Sequence, residues 1–137
     1  MKKSKRKPEL VFRVIRSPYK NEGSDHSIND LYQRYLQDEE ATIEIDGLTY
    51  YRIIDLYEFR IRNASTIVVL DNKMNLKIGD VLTDENGQIY NIISFEMFRI
   101  SGAVFPEWYF KISFVVLDGD PYKIGNYLAK VQKSIAD

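Results

Sequence analysis

Trp108-Tyr109-Phe110-Lys111-Ile112-Ser113-Phe114-Val115-Val116-Leu117 runs directly into Asp118-Gly119-Asp120-Pro121. Trp108, Phe110, Ile112, Phe114 and Val116 alternate, which lines one whole face of an extended strand with apolar side chains. The segment after Leu117 is built from turn residues, and its proline cannot donate to a ladder, so the strand stops there. This is the strongest core-strand signal in the chain. Other turn signals punctuate the stretch from about Thr66 to Lys130: Lys77-Ile78-Gly79-Asp80, Asn86-Gly87 and Ile124-Gly125. Between them Val81–Thr83 and Ile89–Phe98 read as partners, with a short closing strand at Tyr127–Val131.

Working back towards the N-terminus, Ala64–Leu70 is rich in β-branched residues and reads as a strand closed by Asp71-Asn72. Thr42–Ile45 and the long return run Leu48–Phe59 flank Asp46-Gly47, a dipeptide suited to a tight turn at positive φ. Residues 9–16 give a first strand, stopped by Ser17-Pro18. One helix is expected near residues 27–38. Ser27 caps it, Asp30 favours its positive end, and Ile28, Leu31, Tyr32, Tyr35 and Leu36 make one apolar stripe. Many short strands and one helix predict a mostly β fold: a closed or nearly closed small barrel of six or seven strands. The domain is expected over residues 9–132, with the helix as an insertion at about 27–38.

Composition narrows the function classes. A chain of 137 residues, 45% hydrophobic and 28% charged, fits one soluble globular domain. Lys2, Lys3, Lys5, Arg6 and Lys7 put +5 in a tail, residues 1–8, that is expected to be disordered. With a net charge of −1 overall, the remainder carries about −6. Duplex-binding domains show the reverse distribution. The absence of cysteine excludes disulfides, thiolate nucleophiles and Cys-ligated zinc. Pro8-Glu9 and the short run Leu10–Ile15, broken by Arg13, give no export signal after the basic tail. No apolar run approaches the ~20 residues of a membrane span. A cytoplasmic location is expected, with no membrane contact.

Motifs for catalysis are sparse. No phosphate-cradling Gly-x-x-x-x-Gly-Lys-[Ser/Thr] occurs. Asn72-Lys73-Met74-Asn75 resembles a guanine-reading motif but lacks the final Asp, and reads as a turn. The single histidine, His26, sits in a polar segment without a second metal ligand. The acid pairs Asp84-Glu85 and Asp118/Asp120 lack the spacing of a calcium loop and read as turn chemistry. No cofactor and no catalysis are expected. The run Tyr50–Arg62 carries more information. Alternation places Tyr50, Arg52, Glu58, Arg60 and Arg62 on one side, and aromatics beside arginines are how barrel strands stack bases and neutralise phosphates. Tyr50, Arg52, Arg60 and Arg62 are therefore the candidate binding residues, although Glu58 offsets their charge.

Three pieces of the second half resemble domain 2 of the translation elongation factors of the Tu type, a β-barrel. They are Lys77-Ile78-Gly79-Asp80-Val81-Leu82, Ile93-Ser94-Phe95-Glu96-Met97-Phe98-Arg99 and Ile124-Gly125-Asn126-Tyr127-Leu128-Ala129-Lys130, in the family's order. Pro106-Glu107-Trp108 occupies the region where the family carries Ala-Gly-Asp. The resemblance implies a binding module without catalysis and without an accompanying GTPase domain. The expected function is thus non-enzymatic binding, of a protein partner foremost and of RNA second, through a barrel face. The alternative is a self-associating structural or assembly protein of the kind phages and mobile elements encode. An enzyme using dispersed carboxylates is the third reading.

Overall fold

The computed structural model describes residues 12–16, 28–59, 65–96 and 110–131. The expected basic tail at 1–8, His26, the Ser27 cap, Arg60, Arg62 and Trp108 lie outside the described residues. The elements are β1 (Phe12–Arg16), α1 (Ile28–Gln37), β2 (Thr42–Ile45), β3 (Leu48–Arg52), β4 (Asp55–Phe59), β5 (Ser65–Asp71), β6 (Val81–Asp84), β7 (Ile89–Glu96), β8 (Ile112–Leu117) and β9 (Tyr127–Lys130). All strand pairings are antiparallel. One continuous sheet in the order β1-β4-β5-β8-β7-β6-β9-β3-β2 curls into a half-barrel. Among the described residues nine strands form it, where the sequence predicts six or seven.

The extra count comes from a corner. Leu48–Phe59 reads in sequence as one return strand, but it splits into β3 and β4, which belong to opposite ends of the sheet. The Ile53 N–H donates to the Asn126 carbonyl at 2.9 Å, and the next residue, Ile54, donates to the Val69 carbonyl at 2.8 Å. Consecutive peptides thus bond to opposite flanks of the curl. Ile53 and Ile54 are both fully buried and face opposite apolar layers, as successive residues of an extended chain do; the parity breaks just after them, where Ile54 and Leu56 fall in different layers.

Those layers explain the architecture. Ile67 and Val69 of β5, Tyr57 of β4, and Ile112, Phe114 and Val116 of β8 face α1, where Tyr32 and Tyr35 cover them. Val68 and Leu70, Leu56, and Val115 and Leu117 face the inside of the curl, meeting Leu82, Tyr90, Ile92, Ile124 and Leu128. The register agrees, since Ile67 opposes Val116 and Val68 opposes Val115. β8 therefore presents an apolar face to α1 as the alternation predicts, and its other face is buried as well. Phe110 precedes the strand and is exposed. The helix stripe is narrower than expected, because Leu36 is exposed while Tyr32 and Tyr35 are buried.

Two local features shape the curl. Asp46 (φ 52°) and Gly47 (φ 81°) both adopt left-handed backbone, the two-residue turn that matches strand twist in the β2–β3 hairpin. β7 pairs with β6 through its first half and with β8 through its second, and its register slips between Ile92 and Ser94. Such a bulge bends a strand and strengthens its twist, which carries β7 from one flank of the curl to the other.

Leu70 sits wholly inside the curl, whereas Ile78 is 66% exposed. Leu70→Ala is expected to lower stability by about 2–5 kcal/mol in urea unfolding. Ile78→Ala should stay within about 0.5 kcal/mol of the parent.

Candidate functional site

The candidate residues from the sequence separate in the fold. Tyr50, on β3, is buried and offers no ring for stacking. Arg52 closes β3, and its guanidinium pairs with the Asp38 carboxylate just beyond the end of α1. It also lies 5.5 Å over the Tyr127 ring, a cation–π distance. The Tyr127 hydroxyl donates to the Glu40 carbonyl at 3.2 Å, and the Arg52 N–H to the Ala41 carbonyl at 2.8 Å. Arg52 thus fastens the chain after α1 to β3 and β9, and its charge is largely spent on Asp38. The corner at Ile53–Ile54 puts Arg52 on a different strand from the one that leads towards Arg60 and Arg62.

The acid pairs are committed to backbone. Asp84 is fully buried, and its Oδ1 accepts from the Asn86 and Gln88 N–H groups, each at 2.9 Å. Its Oδ2 accepts from the Gly125 N–H at 2.9 Å. The Glu85 carboxylate takes the next two donors, the N–H groups of Asn126 and Tyr127. A Cβ on Gly125 would lie 2.5 Å from Glu85 Oε1, so a side chain there would push the Glu85 carboxylate away from these donors. Asp118 receives the backbone N–H and side-chain amide of Asn91, and Asp120 the N–H of Tyr122. Among the described residues no group of three or more His, Cys, Asp or Glu is placed to hold a metal ion. No described helix is long and apolar enough to cross a membrane.

Two buried phenols sit against carboxylates. The Tyr57 hydroxyl donates to Asp55 Oδ2 at 2.8 Å, and burial, then the Asp55 charge, push its pKa well above the usual tyrosine value. The Tyr90 hydroxyl is buried without a hydrogen-bond partner among the described residues. Burial, and then Asp84, Asp120, Asp118 and Glu85, push its pKa up from 10.0 to about 12. Neither group is presented to a substrate.

One outward-facing row is largely apolar. Along β7 the odd positions are exposed, and they are Ile89, Asn91, Ile93 and Phe95. Phe95 ends this stripe at a groove of about 200 Å³ lined by Asn72, Phe95, Glu96, Phe110, Ile112, Ser113 and Phe114. Asn72 shapes one wall: its side-chain amide donates to the Phe110 carbonyl at 3.0 Å, and the Ser113 hydroxyl donates to its Oδ1 at 2.6 Å. Asn72–Met74 forms one 3-10 turn, capped by Asp71 and closed by Asn75 at φ 53°. This segment is a turn, as its sequence implies, and Asn72 serves the groove wall. Sequence reading missed the β7 stripe because Ile89, Tyr90, Ile92, Ile93 and Phe95 are apolar at both parities, a pattern that marks a strand without saying which face meets solvent. No family model, curated protein or solved structure matches this chain.

Asp84→Asn removes one acceptor from a set of three backbone donors, of which the Gly125 N–H is buried, and is expected to cost about 1–3 kcal/mol in denaturant unfolding. The raised phenol of Tyr90 has a defined sign. A neutral phenol held in the fold contributes stability that is complete below pH 10.0 and falls as pH rises towards about 12. Tyr90→Phe should flatten the loss of stability across that window, measured by urea unfolding at successive pH values. At pH 7 the same variant should be neutral or slightly stabilising, because it deletes a buried hydroxyl without a partner among the described residues.

Proposed function

We propose that this chain is a non-catalytic binding module whose partner is a protein, engaged along the β7 stripe and the groove at its end. The observation that carries this reading is the row Ile89, Ile93 and Phe95, three large apolar side chains exposed on one strand. Exposed apolar residues scattered singly need no explanation, but the adjacent pair Ile93 and Phe95, leading into a cleft with Ile89 beyond Asn91 on the same face, has the character of an interaction surface. The groove's ~200 Å³ lies below the ~300–1,000 Å³ of small-molecule clefts. It suits one bulky side chain from a partner, the anchor-in-pocket arrangement typical of interface hot spots. Protein rather than RNA is favoured because Arg52 is held by Asp38 and the chain beyond its basic tail is acidic.

RNA engagement in the manner of translation-factor barrels is the second reading. One observation favours keeping it: the three pieces of that likeness enter or form β6, β7 and β9, which are neighbours in the sheet.

The test is panning of a random peptide library on the full chain, with Ile93→Asp and Phe95→Asp as counter-screens. Enriched peptides should carry a bulky apolar residue. They should lose about 1–2 kcal/mol of affinity on either variant and bind with little salt dependence. Peptides indifferent to both variants would overturn the assignment of this surface. Tight binding of single-stranded RNA that weakens steeply between 50 and 200 mM salt would favour the second reading.

A further inference from the structure

The sheet ends at β2, and this edge is self-complementary. Among the described residues β2 pairs with β3 alone, in the register Thr42↔Tyr51, Ile43↔Tyr50, Glu44↔Thr49 and Ile45↔Leu48. The Arg52 N–H donates to Ala41 one step earlier, and the two-residue Asp46-Gly47 turn makes Ile45 and Leu48 a hydrogen-bonded pair. Antiparallel pairs alternate, so Ala41, Ile43 and Ile45 turn their backbone groups to β3. Thr42 and Glu44 therefore turn theirs outward, where no hydrogen bond from the described residues occupies them. Their side chains are exposed on one face, while Ile43 and Ile45 are half-buried on the other. No proline, bulge or covering strand of the described residues blunts the edge.

We propose that β2 pairs antiparallel with β2 of a second copy about a two-fold axis at Ile43, joining two half-barrels into one continuous sheet. In this register Thr42 opposes Glu44 of the second copy in both directions, and these are the residues whose backbone groups point outward. Ile43 opposes Ile43 in the close, non-hydrogen-bonded position, adding an apolar pair on the half-buried face. Moving the axis to Glu44 would set two carboxylates directly opposite each other, and moving it to Thr42 would oppose Glu40 to Glu44; both are disfavoured. A slip of one residue presents backbone groups already bonded to β3. Charge and hydrogen bonding thus select one register, and an isologous contact of this kind closes at a dimer. A four-residue edge buries little surface, so the dimer is weak and depends on concentration.

The chain has no cysteine, which makes the test clean. Opposed Cα atoms in a non-hydrogen-bonded pair lie about 4.5 Å apart, within disulfide reach. Ile43→Cys should form an interchain disulfide under mild oxidation, at least about tenfold faster than Ile45→Cys, whose two copies would sit roughly 13 Å apart. Sedimentation of the unmodified chain should show mass rising with concentration. Glu44→Pro, which removes an outward donor and leaves the β2–β3 bonds in place, should abolish that rise. Equal cross-linking of the two cysteine variants, a strict monomer at millimolar concentration, or self-association that survives Glu44→Pro would each overturn the proposal. So would a monomer whose β2 edge takes up a foreign extended peptide.

Discussion

Everything in this structure follows from the burial of β5 and β8 on both faces. Thr66, Ile67, Val68, Val69 and Leu70 are all fully inaccessible, and Val115 to Leu117 nearly so. A strand pair that is apolar on both sides needs two covers, and a chain of this size has to find both within itself. α1 supplies one through Tyr32 and Tyr35. The other comes from the sheet, which curls until β6, β7 and β9 lie under the opposite face. The one polar group within this run, the Thr66 hydroxyl, is satisfied by donation to the Gly119 carbonyl at 2.8 Å.

The remaining devices serve that curl. The β7 bulge turns the sheet, the Ile53–Ile54 corner lets the chain change flanks of the curl within one peptide, and Asp84 with Glu85 closes the loop before β9. The acids do here what a ligand or metal does elsewhere. They gather five backbone N–H groups into one place, and ionised acceptors hold such donors more strongly than neutral ones. Arg52 has a matching role on the far side, where a single guanidinium ties the segment after α1 to two strands. The charges of Asp84, Glu85, Arg52 and Asp38 are therefore architectural, holding loops and strand ends in place.

Much of the fold was legible because it is written locally. Asp46-Gly47 predicts a turn at positive φ and makes one. The alternation of Ile112, Phe114 and Val116 marks a buried face, and Tyr32 and Tyr35 sit on the helix stripe as their spacing requires. The misreadings share a cause. Alternation along Leu48–Phe59 holds for each half of the run, so nothing in the pattern except the doublet Ile53-Ile54 announces that the chain changes flanks. The partners that commit Arg52 lie fourteen residues before it at Asp38 and seventy-five after it at Tyr127, beyond any local window. The candidate site suffered most from this. Tyr50 is buried and Arg52 is engaged by Asp38, for reasons visible only once the strands are ordered. The β7 stripe was hidden because apolar side chains predict burial on average, and an exposed row of them looks the same in sequence as a covered one.

The placement of β9 has a consequence for how the chain acquires its shape. β9 lies between β6 and β3, and among the described residues it is the strand through which the β2–β3 hairpin joins the rest of the sheet. The hairpin ends at Arg52, and the strand it needs begins only at Tyr127, far downstream. Until then it is a lone two-stranded unit, which is marginal in water. Its docking is a late, non-local step of the type that slows the folding of β proteins. During vectorial synthesis the hairpin spends that interval with β3 unpaired on the side that β9 will occupy, which leaves it exposed to wrong pairings until Tyr127–Lys130 is made.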